Sequence, residues 1–314
     1  MTNSTYSSNL VSVVLPAYNT PEEFLRAAIE SVTAQTYDKW ELLIIDDSTT
    51  APVENIVKSY TDDRIKYFRN PKNLGMANTR NLGLELAQGE FIALLDHDDL
   101  WLPEKLQEVC KIFEQNKDAV LVYSSTIPFG DYRNRRINLQ KAEGRIFNTM
   151  IAQNPILSMS CSVVKKAFLE QHNIRFNSDC VPCDDWDFHL QCALHGSIYC
   201  TPEPLVKYRY HENNLSSQAI KMYFAGIQVI DKYQKLLDNI SIESGFPRKI
   251  LQKSINFIAF KHYYGLTFEY LQLHNYQKAL KYLFKAFLYR PLKCTAKILC
   301  FTVKMLKKQI GKCF

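Results

Sequence analysis

The sequence predicts an α/β protein: a mostly parallel sheet flanked by helices, followed by a C-terminal helical appendage. Three observations carry this. Through about residue 124, short apolar runs alternate with helical stretches, the rhythm of parallel strands joined by covering helices. From Gln218 onward only helical periodicity remains. The 314 residues, 46% hydrophobic and 22% charged, suit a globular chain with room for a full core.

Each element follows from local pattern. Residues 11–15 are an apolar, β-branched run read as the first strand. Residues 21–34 are read as a helix, with Phe24, Ala28 and Val32 one turn apart and proline in the first turn. Residues 42–45 form a second buried strand, ending in Asp46-Asp47-Ser48. Residues 53–60 read as a helix and 65–68 as a short strand. Residues 76–87 are a helix whose expected C-cap is Gly89. Residues 91–95 form the strand before Asp96-His97-Asp98, 105–115 an amphipathic helix, and 119–123 another strand. Residues 124–210 are less regular, with a basic turn at Arg133, Arg135 and Arg136. Residues 275–288, followed by Arg290-Pro291, resemble half of a tetratricopeptide repeat, but one unit is no array.

Several function classes are excluded or disfavoured. No GxGxxG follows the first strand and no GxxxxGK[ST] occurs, against dinucleotide and P-loop sites. No basic n-region or cleavage pattern opens the chain, which predicts no signal peptide, and no apolar run is long enough to span a bilayer. Nine cysteines, an odd number, then predict reduced thiols and a cytoplasmic location. Cys180-Val181-Pro182-Cys183 has zinc or redox spacing but lacks a matching pair, so zinc is disfavoured. The formal net charge of +6 is uneven: after Glu269 come ten Lys or Arg and no acid, leaving −4 for residues 1–269. That argues against a nucleic-acid groove on the body and favours a local contact between the tail and an anionic surface.

The chemistry centres on Asp96-His97-Asp98. Carboxylates at i and i+2 project to one side of an extended backbone, here just past a strand's carboxyl end, where open sheets bind ligands. Two hard oxygen donors there suit a divalent cation on a phosphate. The other reading makes Asp98 and Asp99 caps of the helix beginning near Pro103. His97 is expected to face away from the pair.

Residues 11–19 (Val-Ser-Val-Val-Leu-Pro-Ala-Tyr-Asn) resemble the opening strand of the family-2 glycosyltransferases, which have the GT-A (Rossmann-like) fold. Four further blocks follow in the family's order: Ile45-Asp46-Asp47-Ser48, Asn73 to Asn81, Leu95 to Asp99, and Asp184-Asp185-Trp186-Asp187. The resemblance covers about residues 10–215. It implies a catalytic domain over 1–215, with a nucleotide-binding part to 124 and an acceptor-side part from 125, then an appendage over 216–314.

What the resemblance implies for the site agrees with the chemistry of the residues. A nucleotide-diphosphate sugar needs a base pocket, a diphosphate clamp and a base for the acceptor hydroxyl. Pro16, Ala17 and Tyr18 are expected along the nucleoside, with Tyr18 against the base, and Asp46 and Asp47 as its acceptors; the alternative makes both aspartates a helix cap beside Ser48. Arg80 either holds phosphate or ribose, or forms a surface salt bridge. Similar enzymes use Mg²⁺ or Mn²⁺. Asp98 is then the direct ligand, Asp96 touches the ribose or a metal-bound water, and His211 is a third candidate near the metal, against a plain loop histidine. Metal-committed carboxylates are poor bases, so Asp185 is assigned the acceptor proton. The family usually has Glu-Asp here; Asp184 is one methylene shorter. Asp184 and Trp186 are expected at the acceptor, Trp186 alternatively as core. Asp187 is expected to cap a helix over 188–194.

The expected activity is inverting transfer from a nucleotide-diphosphate donor, a UDP-sugar by the resemblance, to a glycan or lipid-linked acceptor in surface polysaccharide biosynthesis. Two alternatives compete. A nucleotidyltransferase needs a Gly- and basic-rich loop that Pro16 to Asn19 does not offer. A non-catalytic nucleotide-binding scaffold is opposed by the full carboxylate set. Residues 295–312 mix apolar side chains with lysines, which suits either a helix on the cytoplasmic face of an anionic membrane or one packed on the body.

Overall fold

The computed structural model describes residues 7–50, 52–131, 141–212, 214–291 and 293. The basic turn at Arg133, Arg135 and Arg136 and the tail over 295–312 lie outside them. The chain divides into two compact units, Met1–Met150 with Asn154–Ser217, and Gln218–Phe314 with Ile151–Gln153.

In the first unit the elements run β1 (Ser7–Ala17), α1 (Glu22–Thr33), β2 (Trp40–Asp46), α2 (Glu54–Lys58), β3 (Ile65–Arg69), α3 (Met76–Leu86) and β4 (Gly89–Leu94). There follow β5 (Leu100–Trp101), α4 (Lys105–Gln115), β6 (Ala119–Tyr123), β7 (Thr126–Gly130), α5 (Phe147–Ala152), β8 (Ser162–Lys165) and α6 (Lys166–Gln171). The last three are α7 (Asp184–His195), β9 (Ser197–Cys200) and β10 (Val206–Tyr210). The main sheet has seven strands in the order β3-β2-β1-β4-β8-β6-β9. All run parallel except β8, which is antiparallel to both neighbours. Every residue of β2 and the last seven of β1 are buried, as strands covered on both faces must be. A three-stranded sheet, β5-β10-β7, brings the end of β10 to the segment after β4.

Local packing differs from the sequence expectation at two points. The core stripe of α1 is Leu25, Ala28, Ile29 and Val32; Phe24 instead lies under Arg209, 4.2 Å from guanidinium carbon to ring centre. The expected Gly89 cap is also corrected. Helix α3 ends at Leu86, with Ala87 already extended at φ −57° and ψ 134°. Gly89 begins β4, where a Cβ would overlap the Leu10 carbonyl. Glycine is needed there for close strand approach, not for a left-handed turn.

The second unit holds α8 (Ala219–Lys235), α9 (Leu237–Ser244), α10 (Arg248–Gln272) and α11 (Tyr276–Tyr289). Its core gathers Ile227, Phe260, Tyr263, Leu266, Tyr270, Ala279 and Ala286. Asn275 caps α11 by accepting the Lys278 N–H at 3.1 Å.

Candidate active site

The site forms at the carboxyl edge of the main sheet. Strand β1 lies between β2 and β4, so chain direction across the sheet reverses there and the strand ends open a crevice. Ala17 pairs with Asp46, and Val14 with Leu94. That register brings Tyr18, Asp47 and the segment after β4 to one rim. A cleft of about 210 Å³ opens on it, lined by Pro16, Ala17, Tyr18, Asp47, Asn73, Gly75, Met76, Thr79, His97, Val181 and Leu215. Tyr18 is 46% exposed, so its ring is available to a planar group.

The two aspartates after β2 separate. Asp47 lines the cleft and accepts from the N–H groups of Leu74 and Gly75 at 2.8 and 3.0 Å and from Asn70 at 2.8 Å. It thereby fixes the turn into α3, where Gly75 takes φ +80°. Asp46 is fully buried and does not line the cleft. Its Oδ1 accepts the Ser48 N–H at 2.9 Å, and its Oδ2 accepts the Val53 N–H at 3.1 Å and the Tyr67 hydroxyl at 2.7 Å. Successive side chains at a strand end point to opposite faces, so only one of the pair meets the rim.

Asp96 to Asp99 form a turn, closed by the Asp99 N–H on the Asp96 carbonyl at 3.1 Å. This corrects the extended i, i+2 geometry: Asp96 and Asp98 have different partners. Asp96 Oδ1 accepts from Arg80 Nη2 at 2.7 Å, while Arg80 Nη1 donates to Asp184 Oδ2 at 2.8 Å. Arg80 is 5% exposed, neither a surface salt bridge nor part of the cleft lining. Burial opposes its charge, but Asp96 and Asp184 outweigh burial and hold it above the usual arginine range. Its Nε finds no hydrogen-bond partner among the described residues.

Asp98 pairs with His211, Oδ2 to Nε2 at 2.9 Å. Neither Asp98 nor Asp99 caps α4; Gln35 does so instead, its Oε1 accepting the Leu106 N–H in the first turn at 3.0 Å. Asp99 is buried beneath the turn, its Oδ2 accepting from Ser158 at 3.0 Å and Ser160 at 2.6 Å, its Oδ1 from the Arg209 N–H at 3.0 Å. Burial, with Asp98 and Asp96 beside it, pushes its carboxyl well above the usual range. Arg209 Nε also donates to the Asp98 carbonyl at 2.8 Å. These clamps, and His97 in the cleft, are what the sequence reading missed. Ser158-Met159-Ser160 was a small alternation inside an irregular stretch, and only the fold gives it a carboxylate to bind.

Helix α7 starts at Asp184, earlier than expected. Asp187 is therefore inside the helix and accepts from Gln191 at 3.0 Å rather than capping it. Two acceptor expectations are corrected. Asp184 is 3% exposed and committed to Arg80; Trp186 is 8% exposed, its indole N–H donated to the Met150 carbonyl at 2.9 Å. Both lie beneath the surface. Asp185 between them is only half-buried, and its Oδ1 accepts the Trp186 N–H at 2.6 Å. Burial first, then Asp184, push its carboxyl up to about 7, against the pull of Arg80.

The profile of the family described as Glycosyl transferase family 2 matches residues 12–172, half of the chain, including the second half of β1, Arg80 and the Asp96–Asp99 turn. The chain belongs to glycosyl transferase family 2. It is 44% identical over 218 residues to the UDP-Glc:alpha-D-GlcNAc-diphosphoundecaprenol beta-1,3-glucosyltransferase WfgD of Escherichia coli, across 68% of this chain and 81% of that one. An uncharacterized glycosyltransferase of Methanocaldococcus jannaschii is 28% identical over 211 residues, 64% of this chain and 70% of its own. Among solved structures, residues 1–349 of S. aureus TarS superpose with a TM-score of 0.66 at 17% identity, over 91% of this chain and 82% of that one. Mannosyltransferase PcManGT from Pyrobaculum calidifontis, in complex with GDP-Man and Mn²⁺, gives a TM-score of 0.61 at 17% identity, over 94% and 80%. The fold of this family-2 member is GT-A, and the protein is a glycosyltransferase.

Proposed function

We propose that this glycosyltransferase moves a sugar from a UDP-sugar to a hydroxyl of a glycan or lipid-linked acceptor, with inversion, in surface polysaccharide biosynthesis. The observation that carries the reading is Asp185, a half-buried carboxylate with its pKa raised to about 7 beside the Arg80 bridge. A base poised near working pH takes a hydroxyl proton most effectively. Oδ1 is engaged by the Trp186 N–H, so Oδ2 takes the acceptor proton. As the acceptor oxygen bonds to the anomeric carbon, the bond from that carbon to the diphosphate breaks.

The remaining residues bind and orient. The nucleoside occupies the cleft along Pro16 and Ala17, with the base on Tyr18 and Asp47 as its hydrogen-bond acceptor. Arg80 holds Asp96, which faces the ribose, and Asp184, which sets Asp185 in place. Asp98 and His211, with Asp96 nearby, would hold the cation. A carboxylate oxygen and an imidazole nitrogen 2.9 Å apart, both partly exposed, fit Mn²⁺ as a pair, whereas Mg²⁺, which takes oxygen donors, would rest on the carboxylate. Among the described residues no three His, Cys, Asp or Glu side chains converge as a metal site, so donor phosphate oxygens would complete the shell. Such an ion stabilises charge on the departing diphosphate.

The catalytic domain is residues 1–215, followed by the appendage over 216–314. The protein works at the cytoplasmic face of a membrane, with residues 295–312 drawn to anionic lipid; no helix among the described residues is long and apolar enough to cross one. The 44% identity to WfgD makes UDP-glucose and a GlcNAc-diphospho-lipid the first donor and acceptor to try. Incubation of that pair with Mn²⁺, read as UDP release and product mass, tests the reading. Failure of every UDP-sugar to bind or turn over sinks it.

A further inference from the structure

Helix α11 packs its smallest side chains inward and shows several of its largest to solvent. Ala279 and Ala286 are its buried residues and join the core of Tyr263 and Tyr270. Tyr276, Leu280, Phe284 and Leu288 follow one turn apart and are 64%, 69%, 63% and 64% exposed, and Phe287 beside them is 40% exposed. A helix serving only its own core turns its large apolar residues inward. A contiguous exposed apolar stripe marks a surface that meets something other than water.

The charge beside the stripe says what. Lys278 and Lys281 are exposed and Lys285 half-buried, together on the flank next to the apolar face. Helix α11 contains no acidic residue, and none follows Glu269 in the chain. Aromatic and leucine side chains along one face, with lysines alone on the flank, match a helix lying in a bilayer interface. There the apolar side chains enter the acyl boundary and the lysines meet lipid phosphates.

We propose that the exposed face of α11 is a docking surface for a bilayer containing anionic phospholipid. This rests on the membrane placement proposed above but uses α11 alone, independently of residues 295–312. Binding through this face combines apolar insertion with charge attraction, so both parts are separately removable.

The test uses the full chain and phosphatidylcholine vesicles with and without phosphatidylglycerol, read by co-sedimentation. A variant carrying Leu280→Asn, Phe284→Asn and Leu288→Asn changes only exposed side chains and is expected to keep its Tm and its turnover of a soluble acceptor. Its partition onto phosphatidylglycerol vesicles is expected to drop by about tenfold or more, since three apolar side chains no longer insert. Lys278→Gln with Lys281→Gln is expected to weaken binding to the phosphatidylglycerol vesicles and flatten its salt dependence. Unchanged partition of the triple-asparagine variant overturns the proposal. If that variant binds normally while Lys304→Gln, Lys307→Gln and Lys308→Gln together abolish binding, the tail reading stands and the α11 reading falls. Wild-type protein that ignores vesicles but forms a dimer abolished by the asparagine variant also overturns it, and makes the face an interface between copies.

Discussion

At the scale of single residues, the proposed site depends on how four charges share a small volume. Asp184, Asp185 and Asp96 are set around one guanidinium, and Arg80 spends its two terminal nitrogens on Asp96 and Asp184. Asp185 is left with burial and a like charge beside it, so its pKa stands at about 7. For activity the sign is simple: the base is the ionised form, so kcat/KM is expected to fall about tenfold per pH unit below about 7. For stability the sign is opposite. The folded pKa lies above the ordinary value of 3.8, so the stability contribution is full below that value and is lost as pH rises through about 7. Asp185→Asn should cut kcat by about 10²–10⁴-fold while donor affinity, measured by calorimetry, holds. Arg80→Met leaves two carboxylates unpaired, one of them deeply buried, and should cost about 3–5 kcal/mol in urea unfolding. Because Arg80 lowers the Asp185 pKa, the acid limb of any residual activity should move upward. An unmoved limb would mean that another group sets it.

At the scale of elements, the Asp96–Asp99 turn is held from three sides. Arg80 reaches it from α3, Ser158 and Ser160 from the segment before β8, Arg209 from β10 and His211 from just after it. Trp101 and Lys105 brace that segment in turn, donating to the carbonyls of Ser160 at 2.9 Å and Cys161 at 3.0 Å. A turn with two neighbouring carboxylates beside a buried third repels itself, and these donors are what hold it. Strand β4, which leads into the turn, is seated by the close approach of Gly89 to β1. Gly89→Ala places a methyl group against the Leu10 carbonyl and the Ser12 N–H. Overpacking of that kind should cost about 1–3 kcal/mol of unfolding free energy, read as a lower urea midpoint with an unchanged m-value.

At the scale of the whole molecule, ligand binding should appear as stability. A UDP-sugar at about a hundred times its Kd adds about 2.7 kcal/mol to the native state, which should raise Tm by about 5 °C in a thermal-shift assay with Mn²⁺. Chelation with EDTA should remove most of that gain, and Asp98→Asn should do the same without EDTA. A full shift in EDTA would show that donor binding does not depend on the ion.

The strands and helices of the nucleotide half are legible in the amino-acid pattern, because buried parallel strands are continuous apolar runs and their helices carry a regular stripe. That pattern also determined the order of the acidic blocks, from which the family was legible. It did not determine which carboxylate faces where. Asp46 and Asp47 are adjacent and chemically identical, yet one is buried against the backbone N–H groups of Ser48 and Val53 and the other lines a cleft. Asp96 and Asp98 looked like one pair until the turn gave one to Arg80 and the other to His211. Trp186 could have met a sugar until its indole N–H found the Met150 carbonyl. Those outcomes depend on partners far away in sequence, 104 residues in the case of Arg80 and Asp184. Local periodicity encodes which face of an element is buried, and only the packed tertiary structure decides what that face meets.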